Sequence, residues 1–238
     1  MKLFRTQEGK EIKHLRISNL GHYYWCSVQA WLIAQGIESP PNEATNEGTK
    51  RHNEVTASRK PSKLEQEFED FLKTEMVEFD CGRGSTGIRG EGTNRVLTRK
   101  WKDKDGVTVL GQIVTHGLDD FCVYPDRKVK FIEYKFTNQK YVDNFKTSIA
   151  IFQMKASMWL YEPILKKGNY TIEGGEIDFF TMNGGEIGKR DIYYNQREVE
   201  DAIANILYQF NHPSELIPCT RWKCVRCHEV FKSRCPFQ

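Results

Sequence analysis

The fold is decided by residues 117–136, which read GLDDFCVYPDRKVKFIEYKF. Runs rich in Val, Ile, Phe and Tyr at 118–124 and 129–136 flank a Pro-Asp turn, and a similar run at 107–114 precedes them. Such runs between turn residues are typical of β-strands. We therefore predict three neighbouring strands of one sheet.

Outward from this sheet, apolar residues recur at helical spacing in segments 18–35, 61–76, 145–161 and 199–210, which predicts four helices. Gly184 and Gly185 lie inside 172–194, where they favour a hairpin. Helices therefore precede and follow a sheet, and this order of elements predicts a mixed α/β fold.

The composition of the 238-residue chain is that of one soluble domain, with 39% hydrophobic and 28% charged residues. No apolar run approaches the roughly 20 residues that span a bilayer, and the amino terminus lacks the apolar core of a secretory signal. We expect a cytoplasmic protein without a membrane partner. Because thiols stay reduced there, seven cysteines favour metal binding over disulfides. The net charge of +3 alone does not indicate a nucleic-acid partner.

Acidic residues and a lysine are placed on the two strands of 117–136 in a way that suits phosphodiester hydrolysis. Glu133 and Lys135 are two residues apart, so they point to one face of the sheet, where Asp119 or Asp120 of the neighbouring strand can meet them. Carboxylates are ligands for Mg²⁺ or Mn²⁺, and a lysine can orient the water or steady the phosphate. The alternative is a structural salt bridge of Lys135. Spacing alone does not choose between the two aspartates.

Cysteines are concentrated at the carboxy terminus in the pattern Cys224-x-x-Cys227-x7-Cys235. Two thiolates at this spacing can bind one metal centre, either zinc or an iron–sulfur cluster. The fourth ligand is Cys26, Cys219 or His228 by spacing alone. Basic and aromatic residues alternate around these cysteines, a pattern that favours phosphates and unpaired bases; they are Arg221, Trp222, Lys223, Arg226, Phe231, Lys232 and Arg234.

The ordered set of motifs resembles the RecB-like branch of the PD-(D/E)xK nucleases. The motifs are GTKRH ending at His52, GLD ending at Asp119, EYK from Glu133 to Lys135, and Gln153 in the next helix. The resemblance implies a restriction-endonuclease-like core, with a central mixed β-sheet flanked by helices. Ser157 stands where the family often has a tyrosine.

This resemblance also implies roles for the motif residues. His52, Asp119 and Glu133 would bind Mn²⁺ or Mg²⁺, with Asp120 as an alternative ligand. The catalytic residues would be Asp119, Glu133, Lys135 and Gln153.

Tyr-Trp-Cys26 near the start of a helix, together with the three terminal cysteines, resembles the iron–sulfur members of this branch, especially the CRISPR-associated Cas-four exonuclease family. That likeness implies a [4Fe-4S] cluster held by Cys26, Cys224, Cys227 and Cys235. Residues 1–238 would be one RecB-like nuclease domain. Segments 18–60 and 195–238 would form an iron–sulfur lobe that joins the two termini, and 61–194 the nuclease core.

The family further implies a metal-dependent exonuclease that acts on single-stranded DNA or overhangs, with 5′ to 3′ polarity, in CRISPR spacer acquisition beside an integrase complex. Two alternatives stay open. One is a RecB-like repair or viral recombination nuclease, and the other is a non-catalytic, metal-stabilised nucleic-acid-binding module.

Overall fold

The architecture of the chain is given by a computed structural model. It describes residues 14–37, 39–40, 47, 50–51, 54–55, 58, 60–75, 97–102, 108–115, 119–137 and 146–237. The described strands are β1 (His14–Arg16), β2 (Leu97–Lys102), β3 (Thr108–Thr115), β4 (Asp120–Val123), β5 (Lys128–Phe136), β6 (Thr171–Phe180) and β7 (Glu186–Ile192). The described α-helices are α1 (Ile17–Gly21), α2 (Ser27–Ala34), α3 (Lys63–Glu75), α4 (Lys146–Lys167), α5 (Gln196–Asn211), α6 (Arg221–Val225) and α7 (Glu229–Lys232).

The described strands form two sheets. The larger has the order β4-β5-β6-β7, in which β5 and β6 are parallel and the other two pairs are antiparallel. The smaller has the order β1-β3-β2. A four-stranded mixed sheet flanked by helices confirms the predicted mixed α/β class.

The hairpin between β4 and β5 is closed by a tight turn. The Tyr124 N–H donates to the Lys128 carbonyl at 2.9 Å, and the Arg127 N–H donates to the Tyr124 carbonyl at 3.0 Å. Arg127 has a positive φ of 61°, a conformation that the turn requires of it. The resulting register places Asp120 opposite Ile132, so the chain just before β4 lies beside the middle of β5.

Helix α4 provides the crossover that two parallel strands need. It packs against β6 and α1, and Trp159 and Tyr161 on it are completely buried. A Cβ added to Gly175 of β6 would lie 2.7 Å from Met154 Cγ. Only glycine therefore allows the helix and sheet to approach this closely, and the helix seals one face of the sheet.

Helices α3 and α5 begin with side-chain caps, as their sequences favour. Ser62 and Glu65 form a reciprocal capping box before α3: the Ser62 N–H donates to Glu65 Oε2 at 2.7 Å, and the Glu65 N–H donates to Ser62 Oγ at 3.3 Å. Asn195 Oδ1 accepts from the Glu198 N–H at the start of α5. Helix α5 buries its apolar stripe, as predicted: Val199, Ile203, Ile206, Leu207 and Phe210.

A second, smaller core joins the two ends of the chain. Its buried members are Cys26, Val28, Leu32, Ile33, Leu216 and Phe231. Ser27 Oγ donates to the Ile217 carbonyl at 2.6 Å, and Lys223 Nζ donates to the Trp25 carbonyl at 3.0 Å. Residues near position 26 and residues after 215 therefore form one packed unit.

Two local predictions were wrong. The segment 18–35 is not one helix, because the chain becomes extended at Cys26 (φ −158°, ψ 116°), which caps α2. The strand over 108–115 belongs to the smaller sheet, not to that of β4 and β5. The apolar pattern predicted the helical segment but not its interruption at Cys26. It predicted the strand over 108–115 but not the sheet to which that strand belongs. Among the described helices, none is both long enough and apolar enough to cross a membrane.

Candidate functional site

An acidic residue and a lysine lie side by side on β5. Glu133 and Lys135 are two residues apart, so their side chains share one face of the sheet. The Lys135 ammonium and the Glu133 carboxylate form an ion pair. The exposed fractions of the two side chains are 33% and 20%, so the pair is partly accessible to solvent and to a ligand.

Asp119, immediately before β4, joins this pair. Its Oδ2 accepts a hydrogen bond from the backbone N–H of Tyr134 at 2.8 Å, and Tyr134 lies between Glu133 and Lys135. Burial acts to lower the pKa of Lys135, but the charges of Glu133 and Asp119 outweigh it, so that the pKa lies above its usual value. Lys135 is therefore a cation at neutral pH, beside two carboxylates.

Asp120 has a different environment from its neighbour. It is 1% exposed, and its Oδ2 accepts a hydrogen bond from the Tyr134 hydroxyl at 2.8 Å. Since Tyr134 points to the face of β5 opposite to Glu133 and Lys135, Asp120 lies on that opposite face. The geometry thus places Asp119, and not Asp120, with the acid–lysine pair.

The remaining residues of the predicted site are not brought to this group by a described contact. His52 lies outside the described residues. Gln153, on α4, packs against α1: a Cβ added to Gly21 would lie 3.1 Å from Gln153 Cγ. Ser157, one turn further, is 9% exposed and lies in the same helix. The roles of His52 and Gln153 stay predictions.

The oxygen ligands of this site are chemically suited to a hard divalent cation. Asp119 and Glu133 supply carboxylates, which Mg²⁺ and Mn²⁺ prefer. As the side chains stand, no group of three or more His, Cys, Asp and Glu in the described part of the chain is arranged to hold a metal ion. Two described carboxylates would need a further ligand, such as water, the substrate or a residue outside the described ranges.

Five thiols meet where the two ends of the chain join. One small cavity is lined by Cys26, Cys219, Cys224, Cys227 and Cys235. The structure therefore brings Cys224, Cys227 and Cys235 together with both Cys26 and Cys219, two of the three alternatives for the fourth ligand. His228, the other alternative, instead caps α7, where its Nδ1 accepts from the Val230 N–H at 3.2 Å.

The thiols of this cavity affect one another. Burial raises the pKa of Cys227, and charge on Cys26, Cys224 and Cys235 raises it further. Burial likewise raises the pKa of Cys219, with a contribution from Cys224. Sulfur is the kind of donor that soft metals prefer, but as the side chains stand the cysteines of this cavity do not form a group arranged to hold a metal ion.

Helix α6 presents an aromatic ring with cations around it. Trp222 is 50% exposed, and its ring meets Trp25 edge-on with centroids 5.6 Å apart. Lys223 Nζ and Arg226 Cζ lie 5.7 Å and 5.8 Å from the centre of the Trp222 ring. The ring is therefore held in place beside two positive charges while half of its surface remains in solvent.

Two residues of these sites carried weak signals in the sequence. Tyr134 bonds both aspartates, one through its backbone N–H and one through its hydroxyl. It is the middle residue of the EYK motif, where alternation alone predicts only that it faces away from its neighbours. Cys219 lies outside the Cys-x-x-Cys spacing, and the sequence offered it only as one of three alternatives for the fourth ligand.

Comparisons with known proteins give distant likenesses. No protein-family model matches the chain, and no curated protein matches it. The crystal structure of SSO0001 is similar at 13% identity and a TM-score of 0.49, over 95% of this chain and 88% of that one. A candidate exonuclease of Eubacterium rectale is similar at 12% identity and a TM-score of 0.44, over 90% and 87% of the two chains. Both TM-scores are below 0.5, so neither likeness establishes a fold family or an activity.

Proposed function

We propose that this protein is a divalent-metal-dependent DNA exonuclease with an iron–sulfur cluster. The observation that supports it most is the meeting of Asp119, Glu133 and Lys135 at one partly exposed place on the mixed sheet. Two carboxylates can hold a divalent cation and a cationic lysine can stabilise charge on a phosphate, and both contributions assist the hydrolysis of a phosphodiester. The three residues also match the order of the RecB-like motifs.

In this proposal Asp119 and Glu133 would hold the cation, and His52 would be the further ligand that the family resemblance implies. Mn²⁺ or Mg²⁺, when bound, would supply positive charge at the phosphate and would make the attacking water more acidic. The Lys135 ammonium stabilises the negative charge that grows on the phosphate oxygens. The Tyr134 N–H orients Asp119 through its bond to Oδ2. A water oxygen bonds to phosphorus as the bond from phosphorus to the leaving sugar oxygen breaks. The water gives up one proton to solvent, and the leaving oxygen takes one up from solvent.

The cysteine cavity is the proposed site of a [4Fe-4S] cluster, with Cys26, Cys224, Cys227 and Cys235 as its ligands. Zinc is the alternative metal for the same thiolates. The cluster would join the two ends of the chain, since Cys26 and the other three lie far apart in sequence. Its role is structural, because hydrolysis needs no electron transfer. Reduced thiols of this kind persist in the cytoplasm, where we place the protein.

Single-stranded DNA or a single-stranded overhang is the substrate that we propose. An exposed ring flanked by cations can stack on an unpaired base while the cations neutralise phosphates, and Trp222 with Lys223 and Arg226 has this arrangement. The 5′ to 3′ polarity and a place in CRISPR spacer acquisition, beside an integrase complex, rest on the family resemblance. A repair or viral recombination nuclease would use the same chemistry.

A non-catalytic nucleic-acid-binding module is the second candidate. The ion pair of Lys135 with Glu133 is what a purely structural salt bridge would form, and as the described side chains stand no group of three or more His, Cys, Asp and Glu is arranged to hold a metal ion. The two candidates differ in whether DNA is cleaved when Mn²⁺ is added.

The test is cleavage of end-labelled DNA by anaerobically purified protein in Mn²⁺. We expect wild type to shorten single-stranded DNA progressively, and Lys135→Ala to lose this activity. Lys130→Ala is the matched control, because Lys130 is on the same strand but on the opposite face, paired with Glu176 and Asp191. Labels at the 5′ and 3′ ends report the polarity.

The controls separate the two candidates. Equal cleavage by wild type and Lys135→Ala would contradict the assignment of Lys135. Tight binding of single-stranded DNA with no cleavage in Mn²⁺ or Mg²⁺ would support the binding module instead.

A further inference from the structure

Five thiols line a cavity whose proposed cluster needs four ligands. Cys219 and Cys224 have sulfur atoms 3.2 Å apart, and both side chains are partly exposed. Cys224 also donates weakly to the Cys219 carbonyl at 3.8 Å. One thiol of this crowded group is therefore left without a role in a four-ligand cluster.

The close pair cannot bind one metal as it stands. With metal–sulfur bonds of about 2.3 Å in a tetrahedron, two thiolates on one ion lie about 3.8 Å apart. In an iron–sulfur cube each cysteine binds a different iron, which places the cysteine sulfurs farther apart still. The separation of 3.2 Å is instead that of two thiols in contact, and a disulfide bond of about 2.05 Å would bring the two sulfur atoms closer.

The contact is local, and so it does not depend on the joining of the chain ends. Cys219 directly precedes Thr220, which occupies the N-cap position of α6, and the Cys224 N–H donates to the Thr220 carbonyl at 3.3 Å. One turn of helix therefore holds the two sulfurs near each other. Cys26, by contrast, reaches the cavity from the other end of the chain. Loss of a cluster would separate Cys26 more readily than it would separate this pair.

We propose that Cys219 is not a cluster ligand but a resolving thiol, which forms a disulfide with Cys224 when the cluster is absent. This inference rests on the proposed iron–sulfur site. The disulfide would occupy one ligand, Cys224, and prevent reassembly of the cluster until it is reduced. Cys219 would then make the cysteine lobe sensitive to a disulfide oxidant.

The oxidant that we propose is a low-molecular-weight disulfide such as oxidised glutathione. One thiolate of the pair attacks a glutathione sulfur, forms a mixed disulfide and releases one glutathione thiolate. The second protein thiolate then attacks the protein sulfur of the mixed disulfide and releases the other glutathione. Two protein thiols lose two electrons and two protons in total, and one oxidised glutathione becomes two reduced molecules.

The experiment is a peptide map of the full chain after cluster removal. Anaerobically purified protein is stripped with an iron chelator, treated with oxidised glutathione, alkylated and digested with trypsin. Cleavage after Arg221, Lys223, Arg226 and Arg234 places Cys219, Cys224, Cys227 and Cys235 in four different peptides. Mass spectrometry then identifies each disulfide directly.

We expect wild type to give the peptide ending at Arg221 linked to peptide 224–226, and this link to disappear in Cys219→Ser. Iron content before stripping should be the same in Cys219→Ser, Cys219→Ala and the matched control Cys122→Ser, which alters a cysteine of β4. Oxidised wild type should regain its cluster, on addition of iron and sulfide, only after reduction. Cys219→Ser should regain it without reduction.

Three results would overturn the inference: loss of iron in both Cys219 variants, a disulfide of Cys224 with Cys227 instead, or no protein disulfide at all. Absence of iron from every anaerobic preparation, wild type included, would refute the proposed cluster. That outcome is separate, because the peptide map reads the thiol pair whether or not iron was bound.

Discussion

The carboxylate site and the cysteine cavity are held together in different ways. Asp119, Glu133 and Lys135 fall within one hairpin, and the register of β4 and β5 places them. The cysteines come from opposite ends of the chain, where bonds such as that of Ser27 to the Ile217 carbonyl join the two. The carboxylate site forms when two neighbouring strands pair. The cysteine cavity forms only when residues near position 26 and residues after 215 come together.

This difference has an energetic consequence. Closing a long loop costs more conformational entropy than closing a hairpin, and a metal bound by ligands from both ends can offset that cost. We therefore expect the cysteine lobe to depend on its metal and the carboxylate site to depend on the sheet. The predictions below separate these two dependences.

The largest effect is expected from loss of a proposed cluster ligand. Cys227→Ser should remove the iron and its visible absorbance, and should lower the thermal stability of the lobe strongly, since a structural metal contributes on the order of 10 kcal/mol in small domains. Iron analysis and calorimetry measure both. Cys122→Ser should change neither. Full retention of iron by Cys227→Ser would show that the two ends are joined without this ligand.

The next effect distinguishes two neighbouring aspartates. Asp119→Asn should reduce cleavage by about 100-fold or more, the scale of losing one electrostatic group at a reaction centre, with little change in stability. Asp120→Ala should retain cleavage per folded molecule but lower the free energy of unfolding by about 1–3 kcal/mol, because the Tyr134 hydroxyl loses its partner. Urea unfolding and cleavage rates are the measurements. The opposite pattern would place Asp120 in the site.

The carboxylate site, which is built from neighbouring strands, was largely predictable from the sequence. The strands of β4 and β5, and the shared face of Glu133 and Lys135, follow from alternation along one short segment. The choice of Asp119 over Asp120 did not follow from spacing, because it depends on the hydrogen bonds that Tyr134 makes to each. The alternation of residues predicts a strand and the side chains that share one of its faces. Tertiary contacts decide which of two adjacent aspartates lies with the acid–lysine pair.

The sequence predicted less well which distant segments of the chain contact each other. Nothing in 108–115 shows that this strand pairs with β1 and β2 instead of β4, because strand partners are chosen by the whole fold. The interruption of the predicted helix at Cys26 has the same origin: the extended residue caps α2 and turns its thiol towards cysteines from the other chain end. Spacing named both Cys26 and Cys219 as alternatives for a fourth ligand, and only the meeting of the chain ends places the two in one cavity.

The smallest effect concerns the opposite face of the large sheet. Burial acts to raise the pKa of Glu176, but hydrogen bonds from Lys130 and Lys189 outweigh it and lower the pKa to about 2. Because the pKa of Glu176 is lower in the folded state than its ordinary value of 4.5, the ionised carboxylate stabilises the fold at pH values above 4.5. This contribution to the free energy of unfolding is lost as the pH falls towards 2. Asp178 opposes the trend, since burial raises its pKa, and Asp191 shares Lys130.

Glu176→Gln should therefore flatten the loss of stability with acid, with a difference from wild type on the order of 2 kcal/mol between pH 6 and the acid limit. Glu173→Gln is the matched control, since Glu173 is an exposed carboxylate of the same strand. Urea unfolding at several pH values measures the effect. Identical acid profiles for wild type and Glu176→Gln would contradict it. Cleavage at neutral pH should be unchanged in both variants.

The claim that the face of Glu133 binds a catalytic cation is tested most directly by Mn²⁺ binding. Electron paramagnetic resonance of added Mn²⁺ counts the ions bound by wild type, Glu133→Gln and Glu176→Gln, the last two being carboxylate losses on opposite faces of one sheet. The account predicts that Glu133→Gln loses a Mn²⁺ site that wild type and Glu176→Gln both retain. Equal Mn²⁺ binding by all three proteins would contradict it.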